Sequence, residues 1–67
     1  MKIFAERLKD LRTEKGLSLV ELSKEIKIGI ASISRWENNK ADVSGEQLVV
    51  ISKFFKVTTD YLLGLED

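Results

Sequence analysis

Sixty-seven residues, in which eleven Lys and Arg balance eleven Asp and Glu and neither Cys nor His occurs, make one small domain, residues 1–67, whose stability owes nothing to a disulfide or an ordinary zinc site. The same two absences remove the commonest general base and the most nucleophilic side chain, which places catalysis well behind binding as the expected function. Overall neutrality hides a segregated charge: residues 1–56 carry all eleven bases against eight acids, a net of +3, while the last eleven residues carry only Asp60, Glu66 and Asp67, so a basic face remains available. No apolar run is long enough to cross a membrane, and the charged start M-K-I-F-A-E-R is unlike a signal peptide, so a cytoplasmic location is expected.

Phe4, Leu8 and Leu11 recur at helical spacing, and Gly16 stands where a left-handed residue would close that first helix. S-L-V-E at 18–21 is a capping box opening a second helix, which Leu19, Leu22 and Ile26 turn inward. A third helix is expected over about residues 29–36. S-G-E-Q at 44–47 opens a fourth, carrying Leu48, Ile51 and Phe55. Thr58 or Thr59 caps a last short helix through Tyr61 to Leu63. V-V-I at 49–51 and K-V-T-T at 56–59 are locally β-prone, but alternation never persists. The fold class is therefore all-α, with five short helices. Leu22, Ile26, Ile28, Ile33 and Trp36 share one core only if the chain turns between Ile26 and Ile28, which is the helix-turn-helix arrangement.

With E-R-L-K-D-L-R at 6–12, E-K-G-L-S at 14–18, E-L at 21–22, I-S-R-W-E-N at 33–38, Lys40 and T-T-D-Y-L-L-G at 58–64, the whole chain resembles the lambda-repressor-like, or Cro-type, helix-turn-helix regulators. The resemblance implies a compact five-helix DNA-binding domain whose third helix lies in the major groove of double-stranded DNA and which binds as a two-fold homodimer. Five positions depart from the usual pattern. Leu19 stands where Gln commonly reaches a phosphate, Lys27 where the turn commonly has Gly, and Gly29, Ile30 and Ala31 where polar readers are common.

Phase around the third helix separates two faces. With Ile33 as origin, Gly29, Trp36 and Glu37 lie within about 60° of it, whereas Ala31, Ser34, Arg35 and Asn38 lie opposite and Ile30 on the shoulder. Ile30, Ala31, Ser34 and Arg35 are the candidate base-contacting residues. The Arg35 guanidinium fork matches guanine O6 and N7, although a phosphate or plain solvent would also satisfy it. Ile30 and Ala31 have no side-chain donors and are expected to meet thymine methyl groups; otherwise Ile30 packs sideways on the second helix and Ala31 is merely small. Ser32, Asn38 and Lys40 suit phosphates, while Ser32 and Ser34 are as able to bond back to a helical carbonyl. Trp36 shares the phase of Ile33 and is expected in the core rather than as a stacking platform. Arg7, Lys9 and Lys24 read as solvated charges.

Arg12 and Glu37 sit at the margins of apolar faces, and the resemblance places an Arg and a Glu together there, so a partly buried ion pair is expected. Tyr61, Leu62 and Leu65 offer more apolar surface than a short last helix buries alone, which points to a dimer contact unless all three complete the monomer core. The resulting reading is a sequence-specific transcriptional regulator, a small repressor on a palindromic operator, needing no cofactor, metal or small-molecule substrate. The competing reading is a protein-interaction module on the same fold, an antitoxin or partner-binding subunit whose apolar third-helix tip meets protein. Ile30 and Ala31 suit that alternative, and R-W-E-N-N-K at 35–40 suits the regulator.

Overall fold

A computed structural model describes residues 1–66 as five α-helices: α1 Lys2–Glu14, α2 Leu19–Ile26, α3 Ile30–Glu37, α4 Gly45–Phe55 and α5 Thr59–Leu63. Asp67 lies outside the described residues, among which there is no strand and no helix long and apolar enough to span a membrane. The β-prone V-V-I lies inside α4, because the surrounding capping and core spacing outweigh a weak local preference.

The helix starts follow from side chains three residues apart. The Ser18 hydroxyl accepts from the Glu21 amide at 3.1 Å and the Glu21 carboxylate accepts from the Ser18 amide at 2.9 Å, completing a capping box. Donation from Ser18, chiefly from its backbone amide and then from its hydroxyl, holds the Glu21 carboxyl below its ordinary range, so its contribution is present at neutral pH and is lost as acid protonates it. Ser44 and Gln47 repeat the device on α4, and the Thr58 hydroxyl accepts from the Tyr61 amide at 3.0 Å to start α5.

Every helix stops on a left-handed residue: Gly16 (φ 71°), Lys27, Asn39 and Lys56 (φ 57° each) and Gly64 (φ 81°). Gly64 is required twice over, since a Cβ there would also lie 2.9 Å from Ile3 side-chain carbons. After four of these residues the next amide closes a ring onto the carbonyl five positions back: Leu17 to Arg12 at 3.1 Å, Lys40 to Arg35 at 2.8 Å, Val57 to Ser52 at 3.0 Å and Leu65 to Asp60 at 2.8 Å. Lys27 is the residue at which α2 turns into α3, and a side chain in that conformation is strained by about 1 kcal/mol or somewhat more. Lys27→Gly is therefore expected to raise the melting temperature by about 4 to 8 °C. A thermal melt that is unchanged or lowered would show that the turn bears no strain.

α1 packs on α3 and α5, α2 on α3, and α4 on α2 and α5. Phe4, Leu8, Leu22, Ile33, Ile51 and Leu62 are completely enclosed at their centre, with Ile26, Trp36 and Phe55 almost so. Trp36 is a core residue, meeting Phe4 edge to face with ring centroids 6.2 Å apart. Leu19 also leans on the core, so this position of α2 is spent on packing.

Two expectations are corrected here. Leu62 is fully buried within the domain and has no surface to offer a dimer; α5 packs on both α1 and α4 and turns Leu62 into the core between them. Arg7 is not a solvated charge. Its guanidinium donates to the Tyr61 and Glu66 carbonyls and lies 4.3 Å from the centre of the Tyr61 ring, fastening α5 and the residues after it to α1.

Candidate nucleic-acid interface

Ile33 and Trp36, with 0% and 3% of their surface exposed, fix which side of α3 points into the core. The opposite side carries Ala31 and Arg35 exposed and Ser34 half-buried, with Ile30 at the tip 43% exposed. Arg35 sits in the last turn, and its guanidinium has no hydrogen-bond or ion-pair partner among the described residues. Lys27 before α3 and Lys40 after it are likewise exposed and unpaired among those residues. Three free cations thus bracket one short helix, and lone surface cations of this kind pair readily with phosphate oxygens.

The polar residues between them are less free. The Asn38 side-chain amide donates to the Ser34 carbonyl at 2.8 Å and more weakly to the Ser34 hydroxyl at 3.4 Å, closing the end of α3. Ser32 is half-buried. Ser32 and Ser34 show no bond back to a helical carbonyl among the described residues, so their hydroxyls keep their donors. Gly29 is the N-cap of α3 at φ −60°, and a Cβ built on it would meet nothing within 4 Å. Neither the backbone nor the interior of the domain needs a glycine there.

One ion pair holds the far end of this face. Arg12 Nε donates to Glu37 Oε2 at 2.7 Å and Arg12 Nη2 to Glu37 Oε1 at 2.9 Å, and Arg12 Nη1 donates to the Leu17 carbonyl at 2.8 Å. The two side chains are only 13% and 6% exposed. The hydrogen bond to Glu37 raises the Arg12 pKa, against the opposing effect of burial. A forked pair fixes both distance and plane, so the last turn of α3 is locked to α1 and to the α1–α2 loop.

Arg7 and Ser23 are the structural residues that sequence reading does not find. Arg7 acts on partners 54 and 59 positions away, and the Ser23 hydroxyl reaches the Ile28 carbonyl across a turn whose shape no local motif specifies. Among the described residues no group of acids could hold a metal ion.

A helix-turn-helix family model matches residues 8–62 of the chain. The HTH-type transcriptional activator BcrR of Enterococcus faecalis is 42% identical over 64 residues, covering 96% of this chain and 31% of that protein. The HTH-type transcriptional regulator ImmR of Bacillus subtilis (strain 168) is 32% identical over 62 residues, covering 92% and 49%. Repressor protein C2 of Salmonella phage P22 is 29% identical over 62 residues, covering 92% and 29%. The chain thus spans about a third to a half of the length of these relatives.

Proposed function

Because the chain belongs to the lambda-repressor-like helix-turn-helix family, we propose that it is a DNA-binding transcriptional regulator that lays the outward face of α3 in the major groove. The observation that carries this reading is the trio of exposed, unpaired cations Lys27, Arg35 and Lys40 around a helix whose inner face is fixed. Arg35, Ile30, Ala31 and Ser34 would meet base edges, and Ser32, Asn38 and Lys40 phosphates. Gly29 supports the same placement, since the open space above it suits the close approach of a partner's backbone.

A single copy reads too little sequence. The eight residues of α3 extend about 12 Å, or about four base pairs at 3.4 Å each. The longest dimension of the domain is 28 Å, less than the roughly 34 Å between major-groove half-sites on one face of DNA. Two copies on a palindromic operator answer both limits. Leu65, 72% exposed, and half-buried Tyr61 would supply apolar surface between them. Repression is the simplest consequence, because bound DNA is denied to other proteins; the similarity to a protein named as an activator supports operator position, rather than the domain, as the determinant of sign.

Fluorescence anisotropy on a random-sequence duplex tests the reading: affinity should fall linearly in log–log form with salt, at a slope near −0.9 for each phosphate neutralised. Absence of salt-dependent binding would favour the protein-interaction module, which the exposure of Ile30 recommends. On a selected operator, replacing thymines one at a time by uracil should cost about 0.5 to 1.5 kcal/mol at one or two major-groove positions, an effect abolished in Ile30→Ala. Silence at every thymine would reduce the α3 tip to a spacer.

A further inference from the structure

The end of α2 is closed unlike the other four helix ends. After Gly16, Asn39, Lys56 and Gly64 the following amide donates to the carbonyl five residues back. The corresponding pair at the end of α2 is Ser23 and Ile28, and no backbone bond joins them among the described residues. The Ser23 hydroxyl donates instead to the Ile28 carbonyl at 2.6 Å, and no other donor among the described residues reaches that oxygen.

The turn closed in this way carries Lys27 in the left-handed region, where a side chain favours release. It also sets the angle between α2 and α3. Ile33 and Trp36 hold α3 by apolar packing, which is non-directional and permits small rotations. The Arg12–Glu37 pair holds the far end of α3, so a rotation of about 10° about that end moves the turn end of a helix about 12 Å long, where Ile30 and Ala31 stand, by roughly 2 Å, more than a directional contact to a base edge tolerates.

We propose that Ser23 is a positioning residue: its hydroxyl bond to the Ile28 carbonyl fixes α3 against α2, and so fixes how Ile30, Ala31 and Arg35 are presented to base pairs. The consequence at base pairs rests on the DNA-binding reading; the clasp at the turn does not. Freed of the clasp, Lys27 relaxes toward ordinary backbone angles and swings α3. A glycine at 27 has no such tendency, so Lys27→Gly makes the clasp dispensable.

The test compares the parent with Ser23→Ala, Lys27→Gly, the double variant, and Val57→Ala, which thins the packing near α5 without touching the turn. Each is titrated with a random-sequence duplex and with the duplex recovered from a random pool by the parent, and amide hydrogen exchange is followed at Ser32 and Ile33, which bond to the Gly29 carbonyl. Ser23→Ala should cut the ratio of selected to random affinity by about three- to tenfold, the value of one neutral hydrogen bond, and speed exchange at both amides by a similar factor. The double variant should return to within about twofold of Lys27→Gly, and Val57→Ala should keep the parental ratio whatever its melting temperature. A Ser23→Ala ratio within about twofold of the parent, or a drop no larger than that of Val57→Ala, overturns the proposal. If the parent prefers no duplex over random DNA, the DNA-binding reading fails, and exchange alone decides: unchanged rates at Ser32 and Ile33 in Ser23→Ala overturn the clasp.

Discussion

Glu37→Ala is expected to be largely unfolded at room temperature. The substitution leaves the Arg12 guanidinium, in a side chain only 13% exposed, with the Leu17 carbonyl as its one remaining partner among the described residues. Removing one member of a buried pair typically costs about 3 to 5 kcal/mol, because the surviving charge has lost its solvation without compensation. A domain this small rarely has more than about 3 to 5 kcal/mol in all. The melting temperature should fall by about 15 °C or more. The pair need not be a large net stabiliser for this to hold. Replacing both members by apolar residues, as in Arg12→Met with Glu37→Leu, removes the stranded charge and should recover much of the loss. A melt of Glu37→Ala within about 3 °C of the parent would mean that water already reaches and screens the pair.

Arg35→Ala is expected to leave the fold intact and to weaken binding to the selected operator by about tenfold to a hundredfold, the usual worth of a bidentate contact to guanine. Stability should not change, since the side chain is exposed and touches no described partner. Affinity for random duplex should fall much less. If affinity for both duplexes falls in parallel and the salt slope shrinks by about 1, Arg35 holds a phosphate and sequence is read elsewhere on α3. Both titrations on a single variant thus separate base from backbone contact.

The five elements, and those of their ends that a hydroxyl or a glycine marks, were legible in the sequence because their causes are local. A hydroxyl at 18, 44 or 58 bonds an amide three residues on, and Gly16 and Gly64 take left-handed angles at little cost. The phase of Ile33 and Trp36 against Ala31 and Arg35 needs only the helical repeat. The turn between Ile26 and Ile28 was legible for the same reason, though not the means of closing it.

What tertiary structure decided are contacts between residues far apart in sequence. Periodicity marks Leu62 and Leu65 as apolar without telling which is enclosed; Leu62 is enclosed and Leu65 is not, because α1 and α4 leave room for one side of α5. Arg7 carries the same charge as Lys9, two residues away, yet only Arg7 meets the carbonyls of Tyr61 and Glu66. Ser23 looks in sequence like any helical serine, and only the path of the chain into α3 brings the Ile28 carbonyl within 2.6 Å of its hydroxyl. Composition and spacing determine which side chains are available and which face they share; which of them meet across the domain is set by how the five helices fill one small core, where close packing leaves each side chain few alternative places.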